Sequence, residues 1–255
     1  MYISLIIVVV VIVAFAIFFW KGLRPAKKNF VVPVKTRELL EENVSFFKKL
    51  DEADKLLFET RVRDFLSTVA VKGIEVQVED LDRVLVAAGA IIPIFAFRDW
   101  KYNNIWEVIL YKGTFSKEYS TEDADKNVLG MVGDGAMHHE MLLSQPSLRS
   151  SFLRGGDGHN TAVHEFAHLI DKADGATDGI PEYLLSNPYI IPWVNRMHET
   201  IGEMKRKKSD IDQYGATNDA EFFAVISEYF FEKPEQLKEH HPELYDMLEM
   251  MFRTA

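Results

Sequence analysis

The sequence predicts an α+β domain, a small mixed sheet packed among helices, preceded by one transmembrane helix. Three observations carry this. The apolar run Ile3–Trp20 has Ser4 as its only polar residue and is long enough to cross a bilayer as a helix. Hydrophobic residues recur every three or four positions over Thr36–Val71, whereas Ile74–Val78 and Ile105–Tyr111 alternate like strands. The composition, 47% hydrophobic and 27% charged over 255 residues, supports a sizeable core and argues against disorder.

Taken in order, residues 1–22 read as the membrane anchor, 23–37 as a linker and 38–255 as the main domain, mainly helical over 38–100. Trp20 closes the span as an interfacial residue. Lys21, Arg24, Lys27 and Lys28 follow it, so the positive-inside rule predicts the amino terminus outside and the body in the cytoplasm. Pro25–Lys35 is too proline-marked for regular structure. Leu39, Leu40, Val44, Phe47, Phe58, Val62 and Phe65 form core stripes of helices. A further helix starts at Asp80, and its Val84–Ala90 segment is apolar enough to be buried. Val132–Gly135 reads as a turn. Met137–Ser144 reads as a strand, and Ala136–Ser144 as a candidate edge for pairing with an extended substrate; His138 and His139 on it face solvent or substrate. Val194–Lys207 reads as a solvated outer helix, with no role for His198.

The net charge is −10 and the pI near 5.3, which excludes the basic face that nucleic-acid binding needs. There is no cysteine. Any metal must therefore be held by histidine and carboxylate.

His164-Glu165-Phe166-Ala167-His168 meets that demand. Residues four apart share a helix face, so His164 and His168 offer two imidazoles to one ion, while Glu165 stands beside them as a general base that is not itself a ligand. Asn160 or Thr161 supplies an N-cap and Gly175 a stop. A third ligand has two candidates. Asp174 lies six residues past His168, but a sharp turn would be needed at position 171, which is Asp. Glu221 opens the strongly apolar helix 221–231, where a plain capping arrangement with Asn218 is the alternative. Glu228 is read as a supporting carboxylate. Asp171 is read as one that accepts a ligand histidine's free ring N–H or orders the following loop.

His164–Asp171 is close to His-Glu-Phe-Ala-His-x-x-Asp, and Glu221–Phe231 to Glu-x-Phe-Ala-Val-x-Ser-Glu-Tyr-Phe-Phe, with Gly158-x-Asn160 ahead of the first. In these motifs the chain resembles the Mlc titration factor A family of zinc-dependent peptidases. The resemblance is sharp from about Gly158 onward. It implies a zincin-like metallopeptidase domain of gluzincin type, similar to the catalytic domain of anthrax lethal factor. It implies one zinc ion held by His164, His168 and Glu221, peptide or protein substrates, and a Tyr214 phenol directed at the oxyanion. The repressor interaction that names the family is not carried over. The competing expectation is a membrane-tethered regulatory protein with a zinc site and little catalysis.

Overall fold

Helices α1 (Thr36–Asn43), α2 (Ser45–Lys48) and α3 (Glu52–Thr68) lead into strand β1 (Ala70–Ile74). The computed structural model describes residues 30–113, 130–132, 139–153, 159–185 and 187–253. After β1 come α4 (Asp80–Ile91), β2 (Glu107–Tyr111), β3 (Gly130–Val132), β4 (Glu140–Ser144), α5 (Gln145–Leu153) and α6 (Thr161–Asp171). Then follow α7 (Asn187–Arg206), α8 (Asp219–Glu232), α9 (Pro234–His240) and α10 (Pro242–Arg253), with 3-10 turns at Lys172–Asp174 and Gln213–Ala216.

The sheet order is β1-β2-β4-β3. β1 and β2 are parallel, as are β2 and β4, while β3 runs antiparallel to β4. A parallel neighbour requires a crossover, and α4 supplies the one between β1 and β2. Its start is fixed electrostatically. The Glu79 N–H donates to the fully buried Asp82, which also accepts Arg149 at 2.7 and 2.9 Å and Gln145 at 2.8 Å, so the buried charge is compensated. Its far end is fixed by size: a Cβ at Gly89 would stand 2.4 Å from that of Ala162. Only glycine lets α4 lie this close to α6. Phe166 of α6 packs on Phe65 and Tyr102, and Phe222, Phe223 and Phe230 of α8 pack on Trp193 and Phe252, all four without exposure. Together these features make a mixed α/β fold, mostly helical around a small sheet, that fits a zincin-like domain.

Three expectations are corrected. The strand read at Ile74–Val78 lies at Ala70–Ile74, because β-branched Val71 pairs with Val108 and Glu75 turns to φ 58°, which ends an extended run. The strand read at Met137–Ser144 is described as Glu140–Ser144 and is no edge: β2 and β3 flank it, and β3 is the outer strand among the described residues. Val132 is the last residue of β3; the rest of the turn read at Val132–Gly135, and His138, fall among residues 133–138, which lie outside those described. Helix α7 begins at Asn187, ahead of Val194, because Pro188 suits a first turn and Pro192 removes only one ladder bond. Its Trp193, Met197, Ile201 and Met204 are buried. That stripe makes it a core element, not a solvated one.

Among the described residues no helix is long and apolar enough to cross a membrane. The run Ile3–Trp20 lies outside them.

Candidate metal centre

Helix α6 is capped as its sequence requires: Asn160 Oδ1 accepts the Val163 N–H at 3.2 Å, and Gly175 takes φ 103° just past the end. One turn apart on its face, the His164 and His168 rings lie 4.9 Å centre to centre. Helix α8 is capped the same way, with Asn218 Oδ1 accepting the Glu221 N–H at 2.9 Å. Capping and proximity to the histidines hold together at Glu221. Its Oε2 lies 3.2 Å from His164 Nε2 and 3.3 Å from His168 Nε2.

Those spacings test the fit of a metal. Bonds of about 2.0–2.1 Å at tetrahedral angles place neighbouring ligand atoms roughly 3.3–3.4 Å apart, and two of the three edges match. Among the described residues, His164, His168 and Glu221 form the one group of histidine and carboxylate ligand atoms within 4.8 Å of one another. Two nitrogens and one oxygen suit zinc and leave a fourth position for water. Glu165, 5% exposed, follows His164 but stands outside this group.

His164 lies between two carboxylates. Its Nδ1 is 3.2 Å from Glu228 Oε2, while Glu228 Oε1 accepts the Asn160 N–H at 2.7 Å. Burial works against a protonated His164, but the hydrogen bonds to Glu221 and Glu228 outweigh it and raise its pKa well above 6.5. His164 donates to Glu221 and Glu228 at once only as an imidazolium. With a metal held at Nε2, His164 would keep only its Nδ1–H, donated to Glu228, which would fix ring and tautomer. Burial also favours a neutral Glu221, yet the two histidines hold its pKa well below the usual carboxylate range. Glu165 is raised, chiefly by burial. Tyr214, 53% exposed, donates its hydroxyl to Glu221 Oε1 at 3.1 Å; burial of that oxygen and the neighbouring Glu221 push its pKa to about 12.

The remaining candidates take other places. Asp171 Oδ2 accepts the Gly179 N–H at 2.9 Å, while Asp171 Oδ1 and His168 Nδ1 are buried without hydrogen-bond partners among the described residues. Asp171 Oδ2 thus ties the Gly179 amide of the following loop to the end of α6. Burial raises its pKa to about 6. Asp174 accepts from Ala176 and Glu182 N–H groups, away from the histidines. His139 stacks on Trp106 with centroids 3.9 Å apart. His198, read as idle, meets Asp219 at 2.8 Å at the start of α8. Asp210, which receives three side-chain donors, carried no signal, since its partners lie 19 to 31 residues away.

Comparison with known proteins points the same way. The profile of a family described as glucose-regulated metallo-peptidase M90 matches residues 19–253. An uncharacterized protein of Synechocystis sp. is 28% identical over 230 residues, which is 85% of this chain and 82% of its own. Mlc titration factor A of Escherichia fergusonii is 28% identical over 209 residues, 76% of this chain and 73% of its own. For the Pectobacterium atrosepticum protein of that name the figures are 28% over 178 residues and 64% of each chain. The chain therefore belongs to the glucose-regulated metallo-peptidase M90 family, the metallopeptidases that include the Mlc titration factor A relatives it resembles.

Proposed function

We propose that the chain is a membrane-anchored, zinc-dependent peptidase that hydrolyses peptide bonds with Glu165 as general base. The observation that carries the reading is the meeting of His164 Nε2 and His168 Nε2 on one oxygen of Glu221 at 3.2 and 3.3 Å, with a buried carboxylate beside them and outside the ligand set. A bound zinc ion brings a coordinated water to a pKa near 7 and polarises a carbonyl.

The chain's residues do the rest. Glu165, its pKa raised by burial, accepts the proton of the water that adds to the carbonyl carbon and returns it to the amine as the C–N bond breaks. Tyr214 turns its hydroxyl from Glu221 to the carbonyl oxygen as negative charge gathers there. Glu228 holds His164 in the tautomer that keeps Nε2 free. Residues 3–20 span the bilayer and leave the catalytic domain on the cytoplasmic side, a reading supported by Lys21, Arg24, Lys27 and Lys28. Extraction of membranes at alkaline pH tests it: the full chain stays with the bilayer and a chain lacking 3–20 does not.

The deciding experiment compares zinc content and hydrolysis of a quenched peptide mixture for wild type and Glu165→Gln. Equal zinc, about one per chain, with turnover reduced by roughly 10²–10⁴-fold in the variant, supports the reading. Unchanged turnover refutes the assignment of Glu165. Zinc in both with turnover in neither favours the tethered regulatory protein.

A further inference from the structure

Away from the histidine–glutamate group, three side chains converge on one carboxylate. Asp210 Oδ2 accepts the Tyr229 hydroxyl at 2.6 Å and His240 Nδ1 at 2.8 Å, and Asp210 Oδ1 accepts His241 Nε2 at 2.8 Å. Tyr229 follows Glu228 on α8, His240 ends α9, and His241 lies between α9 and α10. Both oxygens are used, at ordinary hydrogen-bond lengths. The metal group differs, since there two nitrogens share one oxygen at longer range, so Asp210 is a hydrogen-bond node and not a cation cage. Burial alone would raise the Asp210 pKa; the three bonds outweigh it and hold it well below the usual carboxylate range.

What the node holds is the segment that carries Tyr214. Ile211 is buried at 1% exposure. Asp212 Oδ1 accepts the Tyr214 N–H at 2.8 Å and its carbonyl accepts the Gly215 N–H at 3.0 Å, while the Thr217 N–H closes on the Tyr214 carbonyl at 3.0 Å. Beyond Tyr214, Gly215 lies so close to α8 that a Cβ there would stand 3.2 Å from Val225 Cβ. With its amides tied and its flanks packed, the segment passes a shift at Asp210 on to Tyr214 instead of absorbing it.

We propose that Asp210, gripped by Tyr229, His240 and His241, is a positioning residue that sets the place of the Tyr214 phenol against the metal group. The proposal rests on Tyr214 acting as the oxyanion donor. It makes the α9–α10 junction part of the catalytic apparatus without contact with substrate.

A double-mutant cycle on the full zinc-loaded chain tests it, with the quenched peptide mixture as substrate. Asp210→Asn keeps the shape but weakens charge-assisted bonds; kcat falls roughly tenfold, with KM within about twofold. In the Tyr214→Phe background the same change costs less than about twofold further, because the two residues act through one phenol. A full further tenfold loss there overturns the proposal, as does a Tyr214→Phe variant with undiminished kcat. Hydrogen exchange supplies a readout independent of turnover. Amides of Tyr214, Gly215 and Thr217 exchange at least about tenfold faster in Asp210→Asn, with those of α6 unchanged; unaltered exchange at these three sites overturns it. Should Asp210→Asn fail to fold, Tyr229→Phe removes one donor and must move the same amides and kcat in the same direction. The peptidase reading itself stands or falls on Glu165→Gln, which none of these variants touches.

Discussion

At the scale of single residues, His164 is the group whose state changes most when a metal arrives. Flanked by Glu221 and Glu228, it holds a proton in the metal-free protein well above pH 6.5. Zinc must displace that proton, so affinity falls as pH falls. Equilibrium dialysis at pH 8 and pH 5.5 is expected to show weaker zinc binding at the lower pH by at least about tenfold; equal affinities would mean that His164 is already neutral. Tyr214→Phe keeps the ring and removes the donor, with an expected loss of about 10²-fold in kcat and little change in zinc content. His164, Glu165 and His168 were legible in the sequence because helix periodicity alone brings positions i and i+4 together. Spacing alone left Glu221 and Asp174 open, since a contact across 57 residues leaves no local period; Glu221 was favoured as a lone carboxylate on an apolar helix and again by the resemblance, whereas Tyr214 rested on the resemblance alone. The partner of Asp171 was beyond reach for the same reason: Gly179 arrives there only through the loop after Gly175.

Between elements, the closest approach is the one most exposed to test. Gly89→Ala puts a methyl 2.4 Å from the Ala162 Cβ and forces α4 and α6 apart. Overpacking of this kind costs about 1–3 kcal/mol, read as a lower midpoint in urea, and it displaces the helix that carries both histidines, so zinc affinity should fall as well. An unchanged midpoint would mean that α4 slides without cost. Helices α3, α4, α6 and α8 were legible because each carries its own stripe and stop signals. The strands were less so. A five-residue strand is settled by its partner, and nothing near Ala70 states that Glu107 will lie opposite it. Helix α7 was misread at its start because two prolines look like breakers until their positions in the first turns are known.

For the molecule as a whole, the metal group ties α6 to α8, the two helices that share the central core. Ligand binding to the folded state stabilises it by RT ln(1 + [L]/Kd), about 4 kcal/mol at a thousandfold excess over Kd. At roughly 2–4 °C per kcal/mol for a chain of this size, chelation should lower the melting temperature by about 10 °C. Glu221→Ala should abolish that dependence on zinc. A wild-type melting curve indifferent to chelator would argue against a resident metal. The descent stops short of unfolding because the metal-free site is not left bare: an imidazolium at His164 bridges Glu221 and Glu228 and keeps the helices engaged.

The same separation along the chain dictates a sequence of events during synthesis. His164 and His168 leave the ribosome with Glu221 still 57 residues behind His164, about 3–11 seconds later at 5–20 residues per second. Until α8 has emerged and docked, the histidines lack their third partner and Tyr214 has nothing to stand against. On the proposed reading, a nascent chain that ends before Glu221 carries both histidines but not the third ligand, and gains the complete group only once α8 has emerged.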